Sequence, residues 1–310
     1  MARVCAVTSA AALLVPAAAL AALPSAATGG AQQVTSTSAL LTGTINPNGE
    51  ATTWYFELGA TKSYGNRTDT QGPTGATKGN MKVSATAASL SPGATYHYRL
   101  VAVNATGTKL GRDKTFKTPA SLTLAASPGT LLFGAPTALS GQLAGSRIAG
   151  VKVTLQQDPA PYDARDFKAI ATATTDANGH FSITQVPATN TAYRVVAATT
   201  PKATSPTVIV GVRNRVTLSL STAHPRRGRS VVFRGTSGPP RNGQLVRIQK
   251  RVAGGWRTVG RTVLGASANP QLSSFRMSVR VRRNGVYRAY VAGDVANLAG
   301  WSRRRTIRVR

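Results

Sequence analysis

Alternation of apolar and polar residues with a period of two is the feature that most constrains how this chain folds. In residues 275–282, FRMSVRVR, every odd position is apolar and every even position is arginine or serine. Successive side chains of a β-strand point to opposite faces, so this pattern predicts a strand with one face in a core and a basic face in solvent. Similar short runs, separated by turn residues, recur along the chain, and outside the N-terminus none has a helical period. The sequence therefore predicts an all-β fold of tandem sandwiches.

The first 27 residues have the layout of a secretory signal peptide. Arg3 precedes an Ala/Leu-rich run, and Ser25-Ala26-Ala27 provides the small residues of a cleavage site. We expect cleavage after Ala27. The alternative is a membrane anchor, but the run is shorter than the about 20 apolar residues that a spanning helix needs, and Pro16 interrupts it. No second long apolar run follows, so the mature chain is expected to be secreted without a transmembrane anchor, or held at the cell wall non-covalently.

The chain's one cysteine, Cys5, lies within this predicted leader. The mature chain would then have no cysteine, which excludes disulfides, thiolate catalysis and cysteine-based metal sites. Such a secreted protein has to be stabilised by core packing. Its length suits two or three domains of about 100 residues.

Residues 28–119 form the first predicted domain. They include the turn Asn46-Pro47-Asn48-Gly49 and the run Leu90-x-Pro92-Gly93-x-x-Tyr96. This stretch resembles a bacterial fibronectin type III domain, and the second motif resembles the tyrosine corner of such sandwiches. The family's usual strand-B tryptophan is missing near Gly43, and Trp54 on the next strand is expected to fill the core instead.

Residues 120–211 and 212–310 look like two copies of one domain. Gly141 lies seventeen residues after Leu124, and Gly235 lies seventeen after Leu218. VTLQQ in the first copy matches VRIQK in the second, and Phe167 matches Trp256. Both copies resemble bacterial immunoglobulin-like repeats, which implies two further β-sandwiches. The chain is thus predicted to hold three sandwiches after a signal peptide.

We find no catalytic constellation in the sequence, and we expect neither enzymatic activity nor a cofactor. The three histidines are scattered and are interpreted as surface residues. Asp158, Asp163 and Asp166 form an acidic cluster that could hold Ca²⁺, but their spacing matches no calcium motif, so a solvated loop is preferred. No metal site is predicted.

Positive charge is concentrated at the C-terminal end. The chain's formal net charge is +29, of which residues 28–119 contribute +5, residues 120–211 contribute +2 and residues 212–310 contribute +21. The last segment has 22 basic residues, 21 of them arginine, and one acidic residue. Charge of one sign clustered on one domain is what electrostatic binding to a polyanion requires.

If the last domain follows immunoglobulin strand order, residues 245–251, 286–292 and 306–310 share a sheet with a basic outer face. Arginine's planar fork binds phosphate and carboxylate alike. The candidate polyanion-binding residues are Arg247, Arg251, Arg288, Arg303, Arg304, Arg305, Arg308 and Arg310. The alternative is compositional drift toward arginine codons, although such drift would also have enriched the second domain, which has only three arginines.

The sequence predicts a non-catalytic extracellular structural or adhesion protein. Two modules would act as spacers and the third would bind an anionic polymer of the cell envelope, of teichoic type or an acidic polysaccharide. Specific nucleic-acid binding is not expected, because no aromatic ladder accompanies the arginines.

The alternative function is a carbohydrate-binding accessory module associated with polysaccharide degradation. Fibronectin type III domains similar to this one often accompany bacterial polysaccharide hydrolases. Trp256 and Trp301 would then be sugar platforms, although a core position for Trp256 is preferred because it aligns with Phe167.

Overall fold

The computed structural model describes residues 22–163 and 166–310, which form an all-β fold without any helix in those two ranges. The predicted fold class, tandem β-sandwiches, is confirmed. No helix that could cross a membrane occurs in the part of the chain described. Residues 1–21, with Cys5 and most of the predicted leader, lie outside the described residues.

The chain divides into two compact units. The first unit, up to Leu90 and again over Thr95–Lys117, contains the first sandwich. The second unit, Ser91–Ala94 and Thr118–Arg310, contains the other two sandwiches.

The first sandwich has a three-stranded sheet, β1-β2-β5, and a second sheet, β4-β3-β6-β7, in which β8 also pairs with β6. Its strands are β1 Ser25–Gln32, β2 Ala39–Asn46, β3 Thr53–Gly59, β4 Asn66–Arg67, β5 Met81–Ala87, β6 Thr95–Asn104, β7 Gly107–Leu110 and β8 Lys114–Lys117.

Trp54 lies in the core of this sandwich, as predicted. It is buried on β3, and its ring meets that of Phe56 edge to face with centroids 6.1 Å apart. Gly43 on β2 leaves no room for a side chain, because a Cβ there would lie 2.6 Å from the side chain of Leu100. The core is therefore filled from the neighbouring strands rather than from position 43.

The first strand of the sandwich begins before the predicted cleavage point. β1 starts at Ser25, and residues 25–28 pair with residues 43–46 of β2. Cleavage after Ala27 would remove the first part of this pairing. The cleavage position predicted from sequence therefore lies inside a folded strand.

Two residues before β1 are also held by hydrogen bonds. Asn48 Nδ2 donates to the carbonyl of Leu23 at 2.7 Å, and Asn104 Nδ2 donates to the carbonyl of Ala22 at 2.9 Å. Both donors lie in the first unit, on or next to its strands. Contacts within the first sandwich thus include Ala22 and Leu23, which precede β1.

The second sandwich has the sheet β10-β12-β15, with β9 on β12, and the sheet β11-β18-β16-β13-β14, with β17 on β16. Its strands are β9 Ser121–Leu122, β10 Ala125–Ser127, β11 Thr130–Leu132, β12 Thr137–Ala144, β13 Lys152–Pro159, β14 Lys168–Thr174, β15 His180–Gln185, β16 Thr191–Ala197, β17 Ala203–Thr204 and β18 Val208–Arg213.

The third sandwich has the sheet β19-β21-β25-β24, with β20 on β21, and the sheet β23-β22-β26-β27, with β28 on β26. Its strands are β19 Arg215–Val216, β20 Ser219–Leu220, β21 Ser230–Gly238, β22 Leu245–Val252, β23 Gly255–Val263, β24 Gly265–Ala266, β25 Ser273–Arg280, β26 Gly285–Val291, β27 Gly300–Trp301 and β28 Arg305–Ile307.

The second and third sandwiches repeat one another in three dimensions. Gly141 pairs with Phe181 across β12 and β15, and Gly235 pairs with Phe275 across β21 and β25. A Cβ on either glycine would collide with the paired phenylalanine ring and with a backbone carbonyl of the neighbouring segment. The same steric demand thus explains the glycine that the sequence places seventeen residues after Leu124 in one copy and seventeen after Leu218 in the other.

The change from the second core to the third falls between Val212 and Val216. Val212 has no exposed surface and belongs to the core of the second sandwich, and Arg213 ends β18. The core of the third sandwich begins with Val216. Asn214 thus lies between the last core residue of the second sandwich and the first core residue of the third.

A loop of the third sandwich, residues 292–299, joins it to the second. Asn297 in this loop has no exposed surface, and its Nδ2 donates to the carbonyls of Ala188 at 3.0 Å and Val212 at 3.3 Å. Asn190 Nδ2 donates in turn to the carbonyl of Val295 at 3.0 Å. Buried amide groups satisfied across a junction favour one fixed arrangement of the two sandwiches.

Candidate anion-binding surface

The outer face of β22 and β26 carries the residues that the alternating pattern predicts. Val246 and Ile248 of β22 point into the core and have no exposed surface. Arg247 and Gln249 of the same strand point outward and are half-buried. On β26, Tyr290 is paired with Arg247 and Arg288 with Gln249. The pleat of a half-buried sheet thus places polar and basic groups side by side on this face.

Arg288 is held in a fixed orientation at the centre of this face. Its Nε donates to Gln249 Oε1 at 2.8 Å. Its guanidinium carbon lies 4.2 Å from the centre of the Trp256 ring and 5.7 Å from that of Trp301. Both distances are within the range of cation–π attraction, which extends to about 6 Å.

Further arginines surround the same aromatic rings. Arg251 and Arg304 lie 5.6 and 5.8 Å from the Trp256 ring, and Arg213 lies 4.6 Å from the Trp301 ring. Arg247 lies 6.0 Å from the ring of Tyr290. We call this set the arginine–aromatic ladder; its members are Arg213, Arg247, Arg251, Arg288, Arg304, Trp256, Tyr290 and Trp301. The expectation from sequence that no aromatic ladder accompanies the arginines was wrong, because the three rings are far apart in sequence and only the pairing of β23, β22, β26 and β27 brings them together.

The eight arginines proposed from sequence fall into three places. Arg247, Arg251, Arg288 and Arg304 come together in the ladder. Arg303 and Arg305 instead line a groove beside it. Arg308 and Arg310 lie past the last β26–β28 pair, and their amides donate to the carbonyls of Ala223 and Pro225.

Arg308 and Arg310 are therefore not neighbours of Arg288 in the ladder. Its charged neighbours are Arg304 and Arg251. Burial lowers the pKa of the Arg288 guanidinium, and the charges of these two residues lower that pKa further. Because the ordinary pKa of an arginine guanidinium lies far above neutral pH, Arg288 remains charged at neutral pH.

The position of Trp256 corrects an expectation from sequence. Its match to Phe167 suggested a core position, but Trp256 is half-buried on the outer face, opposite Arg251. A β-bulge in β23, opposite Ile248 and Gln249 of β22, shifts the register between the two strands. As a result Val259 packs against the core and Trp256 does not. The repeat match was correct and the assigned face was wrong.

Each of the three sandwiches contains an arginine held in the manner of Arg288. In the second, Arg194 Nε donates to Gln156 Oε1 at 2.7 Å and its guanidinium lies 4.1 Å from the Phe167 ring. In the first, Arg99 Nε donates to Glu57 Oε2 at 2.7 Å and lies over the ring of Tyr64. We call this arrangement, an arginine whose Nε is hydrogen-bonded to the opposite strand and whose guanidinium lies against an aromatic ring, the arginine clamp. Its recurrence in all three sandwiches indicates that the clamp belongs to the fold.

What distinguishes the third sandwich is the excess charge around its clamp. Arg241, which pairs with Asp294, is the one basic residue in 212–310 that forms an ion pair within the described chain. Asp294 is the only acidic residue of that segment. The ladder arginines consequently have no carboxylate partner among the residues that the structure describes.

The opposite sheet is basic as well, which bears on the alternating segment 275–282. Arg234 of β21 and Arg276 of β25 are exposed, and they are paired directly opposite one another across these two strands. Like charges directly opposed across strands are destabilising, so a bound anion would relieve repulsion here too. Phe275 and Val279 of the same strand are buried, as the alternation predicts.

Other chemistry is sparse in the part of the chain described. No group of three histidine, cysteine, aspartate or glutamate side chains there could hold a metal ion. His97 differs from the expectation of an unpartnered surface histidine, because its Nδ1 lies 2.9 Å from Asp113 Oδ2 and is only partly exposed. Asp113 also accepts a hydrogen bond from the hydroxyl of Tyr64 at 3.0 Å.

Comparisons with known proteins add little. No protein-family model and no curated protein matches the chain. One solved structure that resembles part of it is the sensor domain of the anti-sigma factor RsgI4 of Pseudobacteroides cellulosolvens. The two are 23% identical over a match that covers 30% of this chain and 87% of that one, with a TM-score of 0.24. At that score the likeness supports no conclusion about this chain.

Proposed function

We propose that this chain is a secreted, non-catalytic binding protein of the cell surface whose third sandwich binds an anionic polymer of the envelope by electrostatics. The observation that carries the proposal is the unpaired charge of that sandwich. Of 22 basic residues in 212–310, one is paired with the segment's one acid. The first two sandwiches then act as spacer modules.

The ladder favours binding for a geometric reason. Gln249 and Trp256 hold Arg288 in one orientation, so less side-chain entropy is lost when an anion binds. Arginine's parallel N–H groups suit the paired oxygens of phosphates and carboxylates. A regular polyanion that spans the face would meet several guanidinium groups at once and release the counterions condensed on it.

The same geometry bears on the alternative, a module that binds neutral carbohydrate. Trp256 and Trp301 are the candidate platforms, and Trp301 is 47% exposed. However, guanidinium groups lie within 4.2 Å of the centre of the first ring and 4.6 Å of the second. Rings covered in this way offer less stacking surface to a neutral sugar, whereas a sugar that carries an oxyanion can also pair with the guanidinium groups, which favours the anionic ligand.

Sedimentation with isolated cell envelopes tests the proposal. The purified protein should sediment with envelope fractions at low salt and should stay in solution when the anionic polymers have been chemically removed. Association that survives this removal and does not respond to salt would contradict the proposal and favour the neutral-carbohydrate alternative.

A further inference from the structure

A groove of about 400 Å³ lies next to the ladder, in the second compact unit. One side of it is formed by β19 and the two residues that follow, Thr217 and Leu218, and the rest by basic and apolar side chains. It is lined by Leu132, Arg215, Val216, Thr217, Leu218, Trp301, Arg303 and Arg305. This volume lies within the range of about 300–1,000 Å³ that is typical of small-ligand sites.

Three guanidinium groups converge on this groove without an anion to balance them. Arg305 Nε donates to the carbonyl of Leu218 at 2.9 Å, which holds its side chain along the groove. Arg215 and Arg303 are exposed, and neither forms a side-chain hydrogen bond or an ion pair with any residue that the structure describes. Three like charges around one concavity repel one another, and an oxyanion in it would remove that repulsion.

The apolar wall indicates what the oxyanion is attached to. Leu132 and Trp301 are each 47% exposed and line the same groove as the three arginines. A pyranose ring that bears a charged group presents a C–H face and an oxyanion together. A free inorganic anion would use only the arginines and leave the apolar wall unused.

The second sandwich provides an internal comparison. Ser302 Oγ accepts a hydrogen bond from the Ala289 amide and donates to the Arg303 carbonyl, and Ser205 Oγ does the same with Val195 and Pro206. This match aligns the two copies residue by residue around the groove. Arg215, Trp301, Arg303 and Arg305 correspond to Ser121, Thr204, Pro206 and Val208.

All four groove positions thus change from small or uncharged residues in one copy to arginine or tryptophan in the other. The fold does not require these four side chains, because the second sandwich forms the same strands without them. These four side chains meet at one groove in the third sandwich. The groove therefore differs from the arginine clamp, which all three sandwiches share.

We propose that this groove binds one saccharide unit that bears a carboxylate or phosphate, with the oxyanion among Arg215, Arg303 and Arg305 and the ring against Leu132 and Trp301. The inference rests on the proposed function, since it names a discrete subsite for the anionic polymer. It goes further than the proposed function, because it predicts that the groove recognises a single saccharide unit and not only the charge density of the polymer.

The test uses galacturonate as the carboxylate probe, its methyl ester as a neutral probe of the same shape, and galactose 1-phosphate as the phosphate probe. Binding to the purified protein is measured by calorimetry. The Arg215→Gln/Arg303→Gln variant is compared with Arg282→Gln/Arg283→Gln, which removes the same charge from an exposed turn. Whichever acid binds more tightly identifies the preferred oxyanion.

We expect the groove variant to weaken binding of the acidic probe by about tenfold or more, and the turn variant by less than about twofold, with no binding of the methyl ester. Trp301→Phe should remove most of the fluorescence change on binding. Equal weakening by both double variants would overturn the groove site and leave the polyanion proposal intact. Failure of the unmodified protein to bind any acidic probe or polymer would contradict both.

Discussion

Arg288 Nε donates a hydrogen bond to Gln249 Oε1 at 2.8 Å, while its guanidinium carbon lies 4.2 Å from the centre of the Trp256 ring. The pair is directly opposed across β22 and β26. Equivalent pairs occur in the other two sandwiches, so this cross-strand contact is a shared feature of the fold. In the third sandwich it also fixes the orientation of the arginine at the centre of a basic surface.

Replacing Gln249 with alanine should destabilise the third sandwich by about 1 kcal/mol, because a hydrogen bond to a charged group is lost on a half-exposed face. Denaturant unfolding measures this. Gln271→Ala, in an exposed turn, is the matched control and should leave the free energy of unfolding within about 0.5 kcal/mol. An equal effect of both changes would mean that the clamp contributes nothing.

Tyr287 is 3% exposed, and its ring packs edge-on against Phe233 with centroids 5.4 Å apart. Tyr287→Ala should therefore destabilise the third sandwich by about 3 kcal/mol or more, as for other buried aromatics. Tyr287→Phe keeps the ring and should cost far less. Thermal unfolding of both variants decides the matter, and a neutral Tyr287→Ala would contradict the packing described.

Asn297→Ala should uncouple the second and third sandwiches. Its buried side chain donates to Ala188 and Val212 and accepts from Arg241 at 2.6 Å, so three partners lose a hydrogen bond. We expect a loss of about 2–4 kcal/mol and a single calorimetric transition of this unit splitting into two. Val295→Ala, at an exposed position in the same loop, should keep one transition; splitting in both variants would count against a specific role for Asn297.

The mature N-terminus is predicted to lie at Ala22 rather than Thr28. Ala19 and Ala21 supply the small residues of an A-x-A cleavage site, and cutting there preserves β1 and the bonds to Leu23 and Ala22. N-terminal sequencing of the secreted protein should begin at Ala22. A start at Thr28 would show that the first strand forms without its first three residues.

Alternation was enough to predict the fold and the two faces of residues 275–282, because a half-buried sheet imposes a period of two on its sequence. The repeat match likewise paired Gly141 with Gly235. Alternation did not predict the outward face of Trp256, since one bulge in β23 reverses the pattern, and no local signal marks a bulge.

The candidate site was only partly predictable. Counting charges identified the third sandwich, but the sequence grouped Arg308 and Arg310 with Arg288. The structure separates them because β26 and β28 stop pairing at Gly285 and Ile307. The groove was not predicted at all, since Arg215 lies almost ninety positions from Arg303 and only the packing of β19 beside β27 brings them together.

The salt dependence of polyanion binding tests the central claim most directly. The affinity for polygalacturonate should be measured between low and physiological salt for three proteins. These are the unmodified protein, Arg247→Gln/Arg251→Gln/Arg304→Gln in the ladder, and Lys82→Gln/Lys109→Gln/Lys114→Gln on the first sandwich, which removes the same charge at exposed positions. We predict a steep fall of affinity with salt for the unmodified and lysine proteins, and a logarithmic slope smaller by about 2 for the ladder variant. Equal slopes for the two variants, or an affinity that does not change with salt, would contradict the account.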